Sequence, residues 1–103
     1  QAESMLAAER RETLAALDTQ LASVRQWRST AALYQDTLLP QVKAAVTSAM
    51  AAYRVGRVDF LTLRQAELRV LEVSTALAEA IARHNIAVAD IDLLTGRRPS
   101  LSN

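Results

Sequence analysis

The stretch Ala52-Tyr53-Arg54-Val55-Gly56-Arg57-Val58-Asp59-Phe60-Leu61 decides how this chain folds. It holds the only Gly before residue 96, and a helical pattern runs into it while a second runs out. Gly56 can take positive φ at little cost and suits the position just past a helix end. Arg54 falls in the last turn of the incoming helix, where a cation complements the helix dipole. Asp59 is a side chain of the type that caps the next helix. The stretch therefore predicts a tight turn at the tip of a helical hairpin. Tyr53, Arg54, Arg57 and Asp59 cluster there, where side chains are free to meet a partner or simply to cap and solubilise the turn.

Outward from the tip, the incoming pattern covers residues 2–54. Leu14, Leu17, Leu21 and Val24 follow 3-4-3 spacing. The stripe continues through Trp27/Arg28, Ala31, Tyr34, Leu38, Val42, Ala45, Ala49 and Ala52, slipping near Pro40 like a stutter in a heptad repeat. Pro40 lacks an N–H and crowds the carbonyl of Asp36, but Leu39 is a poor N-cap and the pattern resumes at once. A kinked, continuous helix is expected. Some 50 residues at about 1.5 Å each make about 75 Å, the length of a rod rather than of a globular helix.

The outgoing helix is expected over 60–95. Leu63, Ala66, Val70, Val73, Leu77, Ala80, His84, Ala87, Ile91 and Leu94 keep 3-4 spacing. A second stripe lies beside it, at Phe60, Glu67, Ser74, Ile81 and Val88, with Leu71 and Ala78 nearby. An apolar face this wide exceeds what one antiparallel partner covers, so each helix should pack between two neighbours. Gly96 stops the helix, and 97–103 reads as an irregular tail. The fold class is thus all-α: an antiparallel two-helix coiled-coil hairpin over 1–96. Its first helix has about 15 residues at its start with nothing opposite them.

Composition agrees. Half of the 103 residues are apolar, yet there are only one Trp, two Tyr and one Phe. Long helices packed closely through small side chains have this profile. Twelve basic and 11 acidic residues are spread along the chain for a net charge of +1, with no basic face for nucleic acid. Lys occurs only at Lys43, which argues against a helix lying on a lipid surface. There is no Cys, hence no disulfide or thiolate metal site. No apolar run approaches the roughly 20 residues of a membrane-spanning helix. The opening Gln1-Ala2-Glu3 lies in mid-pattern, without Met or cap, and reads as the start of a piece of a longer protein.

No catalytic constellation is present, so an enzyme is not expected, and no cofactor or metal is implied. The single His, His84, sits on the seam as a packing or register residue. Trp27 and Tyr34, seven apart, read as packing in the shaft. Arg10, Arg11, Arg25 and Arg28 read as a solvated face.

Three segments carry a resemblance. Leu33-Tyr34-Gln35-Asp36-Thr37-Leu38-Leu39-Pro40-Gln41, Ala51-Ala52-Tyr53-Arg54-Val55-Gly56-Arg57-Val58-Asp59-Phe60-Leu61-Thr62-Leu63 and Ile91-Asp92-Leu93-Leu94-Thr95-Gly96 occur here in order. They look like the "LY…LLPQA", "AY..GR.DFL.LL.AQ" and "L..LTG" segments of the TolC-like outer-membrane efflux proteins, closest in flavour to the heavy-metal and drug exporters of resistance-nodulation-division systems. The resemblance covers essentially the whole chain. It implies a homotrimeric channel whose outer-membrane β-barrel continues as a periplasmic tunnel of helices, a passive conduit for drugs or metal ions. This chain would be one periplasmic hairpin, its barrel strands lying elsewhere. Val55 and Gly56, with Arg57 beside them, match the tip that meets a periplasmic adaptor, which in turn joins an inner-membrane pump. Tyr53 matches a residue that helps hold the tunnel mouth closed. Thr62 and Gln65 fall at that mouth. The family's "LLDAQ" acid is replaced: the run here is Leu63-Arg64-Gln65-Ala66-Glu67, so a carboxylate ring is not carried over. An isolated hairpin is expected to self-associate into a bundle of four or more helices. The alternative reading is a generic coiled-coil scaffold, or the helical hairpin of a periplasmic adaptor itself.

Overall fold

A computed structural model describes residues 2–96. Helix α1 spans Ala2–Leu33, a π-helical turn spans Tyr34–Leu38, α2 spans Leu39–Arg54 and α3 spans Phe60–Leu94. The long arm runs unbroken from residue 2 to 54 because its backbone never leaves the helical region. Leu38 (φ −74°, ψ −44°) and Leu39 (φ −63°, ψ −46°) bridge the two regular pieces. At about 1.5 Å per residue this arm should measure about 80 Å. The longest dimension of the molecule is 78 Å, against 31 and 18 Å across it.

Pro40 explains the π turn. Its nitrogen cannot bond back to Asp36, and its ring pushes on that carbonyl. The chain responds by widening the preceding turn, so that the Leu39 N–H donates to the Tyr34 carbonyl, one residue further back than in an α-helix. The irregularity foreseen at Pro40 is thus absorbed inside a continuous helix.

Helix α3 returns antiparallel to the long arm. Lys43 and Val46 share a groove with Glu67 and Val70, and further along Trp27 shares one with Ala87. Val24, Leu63, Ala80 and Ala87 are the buried apolar residues. Two of the four are Ala, so the helices approach closely and no thick core forms. On α3 the seam follows the expected positions, from Leu63 through Ala66, Val70, Val73, Leu77, Ala80, His84 and Ala87 to Ile91.

Four seam assignments are corrected. Leu14 is exposed because residues 2–15 all are: this part of α1 projects past the end of α3. Leu21 is exposed because the seam runs through half-buried Leu17 and Gln20 before reaching Val24. Ala45 is exposed and Val46 takes the inward position, one residue later than expected after the π turn. Leu94 faces solvent at the end of α3. The helix there stops at Thr95 and Gly96, whose φ of 75° ends it as anticipated. The anticipated tail, 97–103, lies outside the described residues. Among the described residues no helix is long and apolar enough to cross a membrane.

Candidate functional site

The tip is built from backbone hydrogen bonds that its sequence dictates. Helix α2 ends with Val55 at the C-cap. Gly56 follows at φ +75°, the left-handed conformation that Cβ disfavours. Gly56 N–H donates to the Tyr53 carbonyl at 3.0 Å and Arg57 N–H to the Ala52 carbonyl at 2.8 Å. This pair of bonds is the Schellman closure, which satisfies two carbonyls the helix end leaves free. Two residues on, Asp59 is extended (φ −87°, ψ 172°) and caps α3. Its Oδ1 accepts from the Thr62 backbone N–H at 2.9 Å and from the Thr62 hydroxyl at 2.8 Å. The Thr62 N–H, then its hydroxyl, hold the Asp59 carboxyl below the usual carboxylate range. The turn is therefore short and stapled at both ends.

What it presents outward is apolar and cationic. Val55 is 69% exposed and Tyr53 41%. The Tyr53 ring packs across the turn against Phe60, centroids 5.9 Å apart and planes tilted by 58°, an arrangement aromatic pairs favour. Phe60 and Leu61 are exposed as well. Arg54 and Arg57 are exposed, and among the described residues neither pairs with a carboxylate. Tyr53, Val55, Gly56 and Arg57 thus lie together on one turn. Thr62 lies one helical turn deeper, with its hydroxyl engaged by the cap. Gln65 is exposed and lines a surface groove with Leu68, Arg69, Leu71 and Glu72. Arg64, which stands where the resembling family has Leu, pairs with Glu67 at 3.2 Å. That pair is solvent-exposed and contributes little to stability.

Sequence reasoning missed Phe60 as a tip residue. Its signal was present: an aromatic seven residues after Tyr53, immediately behind the cap. Along the shaft, Trp27 is half-buried and lies beneath the Arg83 guanidinium, 5.3 Å from the ring centroid. Its packing role stands, joined by a cation–π contact that spacing within one helix cannot reveal. Of the second stripe on α3, Phe60, Ile81 and Val88 are exposed, with Leu71 and Ala78 beside them, while Glu67 and Ser74 are half-buried. Among the described residues no group of three or more His, Cys, Asp or Glu is placed to hold a metal ion.

Compared with models of protein families, with curated proteins and with solved structures, the chain matches none.

Proposed function

We propose that the hairpin is one stave of a tunnel wall, the periplasmic helical segment of a trimeric outer-membrane efflux channel. It is a passive conduit for drugs or metal ions, and its tip docks a periplasmic adaptor that links to an inner-membrane pump. The observation that carries this reading is the uncovered stripe. The hairpin's own seam buries one side of α3, yet Phe60, Leu71, Ile81 and Val88 stay in solvent on another. Apolar side chains that recur along one flank of a long helix are suited to meeting a neighbouring helix. Neighbouring helices on both flanks of each arm cover it, which is the geometry of a cylinder of staves. The charged residues on the opposite flank of α3, such as Arg69, Glu72 and Glu79, then face water. The resemblance of the Leu33–Gln41, Ala51–Leu63 and Ile91–Gly96 segments supports the same architecture. The stapled tip supports docking: a rigid turn presenting Val55 and Tyr53 meets a partner at low entropic cost.

The test is a bulky side chain at the tip of the longer parent channel. A Cβ built on Gly56 meets nothing within 4 Å, so a large side chain projects outward rather than into the hairpin. Gly56→Trp is expected to abolish export while trimer formation and membrane insertion persist. Gly56→Ala carries the same backbone strain without the bulk and is expected to keep export. Normal drug or metal resistance in the Trp variant removes the docking role. Flanking sequence that forms lipoyl-like strands instead of barrel strands assigns the hairpin to an adaptor.

A further inference from the structure

We propose that the partner met by the tip is acidic: a helical protein end with an apolar pocket for Val55 and Leu61, rimmed by Asp or Glu carboxylates that take Arg54 and Arg57. This deepens the docking reading and rests on it. Charge is unevenly spread along the hairpin. Between residues 43 and 67 stand four cations and two carboxylates, whereas residues 2–42 and 68–96 together carry six cations and nine carboxylates. Positive charge is thus gathered at the tip of a hairpin that is otherwise acidic.

Neither carboxylate near the tip is spare. Glu67 pairs with Arg64 at 3.2 Å and also lines the groove that holds Lys43. Asp59 Oδ1 accepts both hydrogen bonds from Thr62. Arg54 and Arg57 are left exposed, neither paired with a carboxylate among the described residues. The backbone fixes Arg57 in place, since its N–H donates to the Ala52 carbonyl at 2.8 Å. A guanidinium presents a planar fork of donors that fits a carboxylate through two bonds at once. Beside the arginines Val55, Phe60 and Leu61 are exposed, and the Tyr53 ring rests against Phe60. Aromatic residues and Arg are the types that carry binding energy at the centres of interfaces. Carboxylates facing the arginines complement this surface, and a basic partner is repelled by it. The far end of a second copy is a poor source of them, because Glu9 and Glu12 there flank Arg10 and Arg11.

The experiment places a photo-crosslinking amino acid at Leu61 of the proposed channel, in cells that express the adaptor, and maps the cross-linked segment by mass spectrometry. An adaptor segment with Asp or Glu within about one helical turn of the cross-link is expected. Arg54→Gln with Arg57→Gln should cut the yield about tenfold. Arg57→Glu should do the same and recover the yield when the mapped carboxylate is exchanged for Arg. Both arginines are exposed and unpaired, so the substituted chains should melt as the wild type does. A cross-linked segment without carboxylates, or a yield that these substitutions leave unchanged, overturns the acidic partner while docking itself stands. No adaptor cross-link from the unsubstituted tip removes the docking reading and this proposal with it. The 103-residue chain is expected to stay in solution beside vesicles of phosphatidylglycerol. Co-sedimentation that Arg54→Gln with Arg57→Gln abolishes assigns the patch to a lipid surface and overturns the proposal.

Discussion

Replacing Gly56 by Ala isolates one physical quantity, the cost of forcing a side chain into the left-handed region. Gly56 sits at φ +75°, and a Cβ there meets no atom within 4 Å. The steric contribution from neighbours is therefore nil, and the penalty is local: Cβ against its own carbonyl, about 1–2 kcal/mol. Loss of Gly's extra freedom in the unfolded chain offsets part of this, by about 0.4–1 kcal/mol. The net expectation is about 1 kcal/mol, or a fall of about 4–8 °C in the midpoint of a chain this size. Gly56→Asn should cost less, because Asn tolerates the same region. Gly96→Ala offers an internal control. It shares φ +75° and open surroundings, but it ends α3 beside the projecting part of α1, where fraying is cheap. Thermal denaturation at several concentrations separates folding from association. A Gly56→Ala loss above about 3 kcal/mol, or none at all, is incompatible with an unhindered left-handed residue at the tip.

Four further outcomes are expected. Asp59→Ala removes the acceptor for Thr62 and should lower the midpoint by about 5 °C, while Asp59→Asn retains most of the cap. Because the Asp59 carboxyl is held below its usual range, its contribution is present above about pH 4 and lost as pH falls through the lowered value. An acid titration should therefore cost the wild type more than Asp59→Asn. Ala80→Leu, at a site only 1% exposed, should destabilise by about 1–3 kcal/mol through overpacking, measured by urea denaturation. Cys introduced at Leu38 and Leu77 should form an intramolecular disulfide at high dilution, detected by a mobility shift on a non-reducing gel. Light scattering of the isolated chain should report a bundle of four or more helices, and Leu71→Gln with Ile81→Gln should shift it toward smaller species.

Much of the hairpin was legible because its punctuation is local. Gly56, Asp59 and Gly96 act through backbone bonds to residues within a turn or two, so residue type and position suffice. The α3 seam was legible because Leu63 through Ile91 face a partner along nearly their whole length. Leu14 failed for the opposite reason. Its spacing is as regular as that of Leu17, but whether a stripe is a seam depends on where the other helix ends, which is not a local property. Pro40 announced an irregularity without saying which kind. The choice of a π turn over a break rests on Leu39 finding the Tyr34 carbonyl. At the tip, Tyr53, Val55, Gly56 and Arg57 were placed together by the turn alone, whereas the contact of Tyr53 with Phe60 required both rings in three dimensions. The Arg83–Trp27 contact joins residues far apart in sequence, and no periodicity within one helix could pair them.

The most direct test of the proposed docking role places a photo-crosslinking amino acid at Val55 in the proposed channel, in cells that also express the adaptor and pump the proposal calls for. Val55 is the most exposed apolar side chain of the turn. A cross-link is expected from this position to the helical hairpin of a periplasmic adaptor, and none from Leu14 at the far end of the shaft. Cross-links from Val55 only to other copies of the same chain, or to nothing, contradict it.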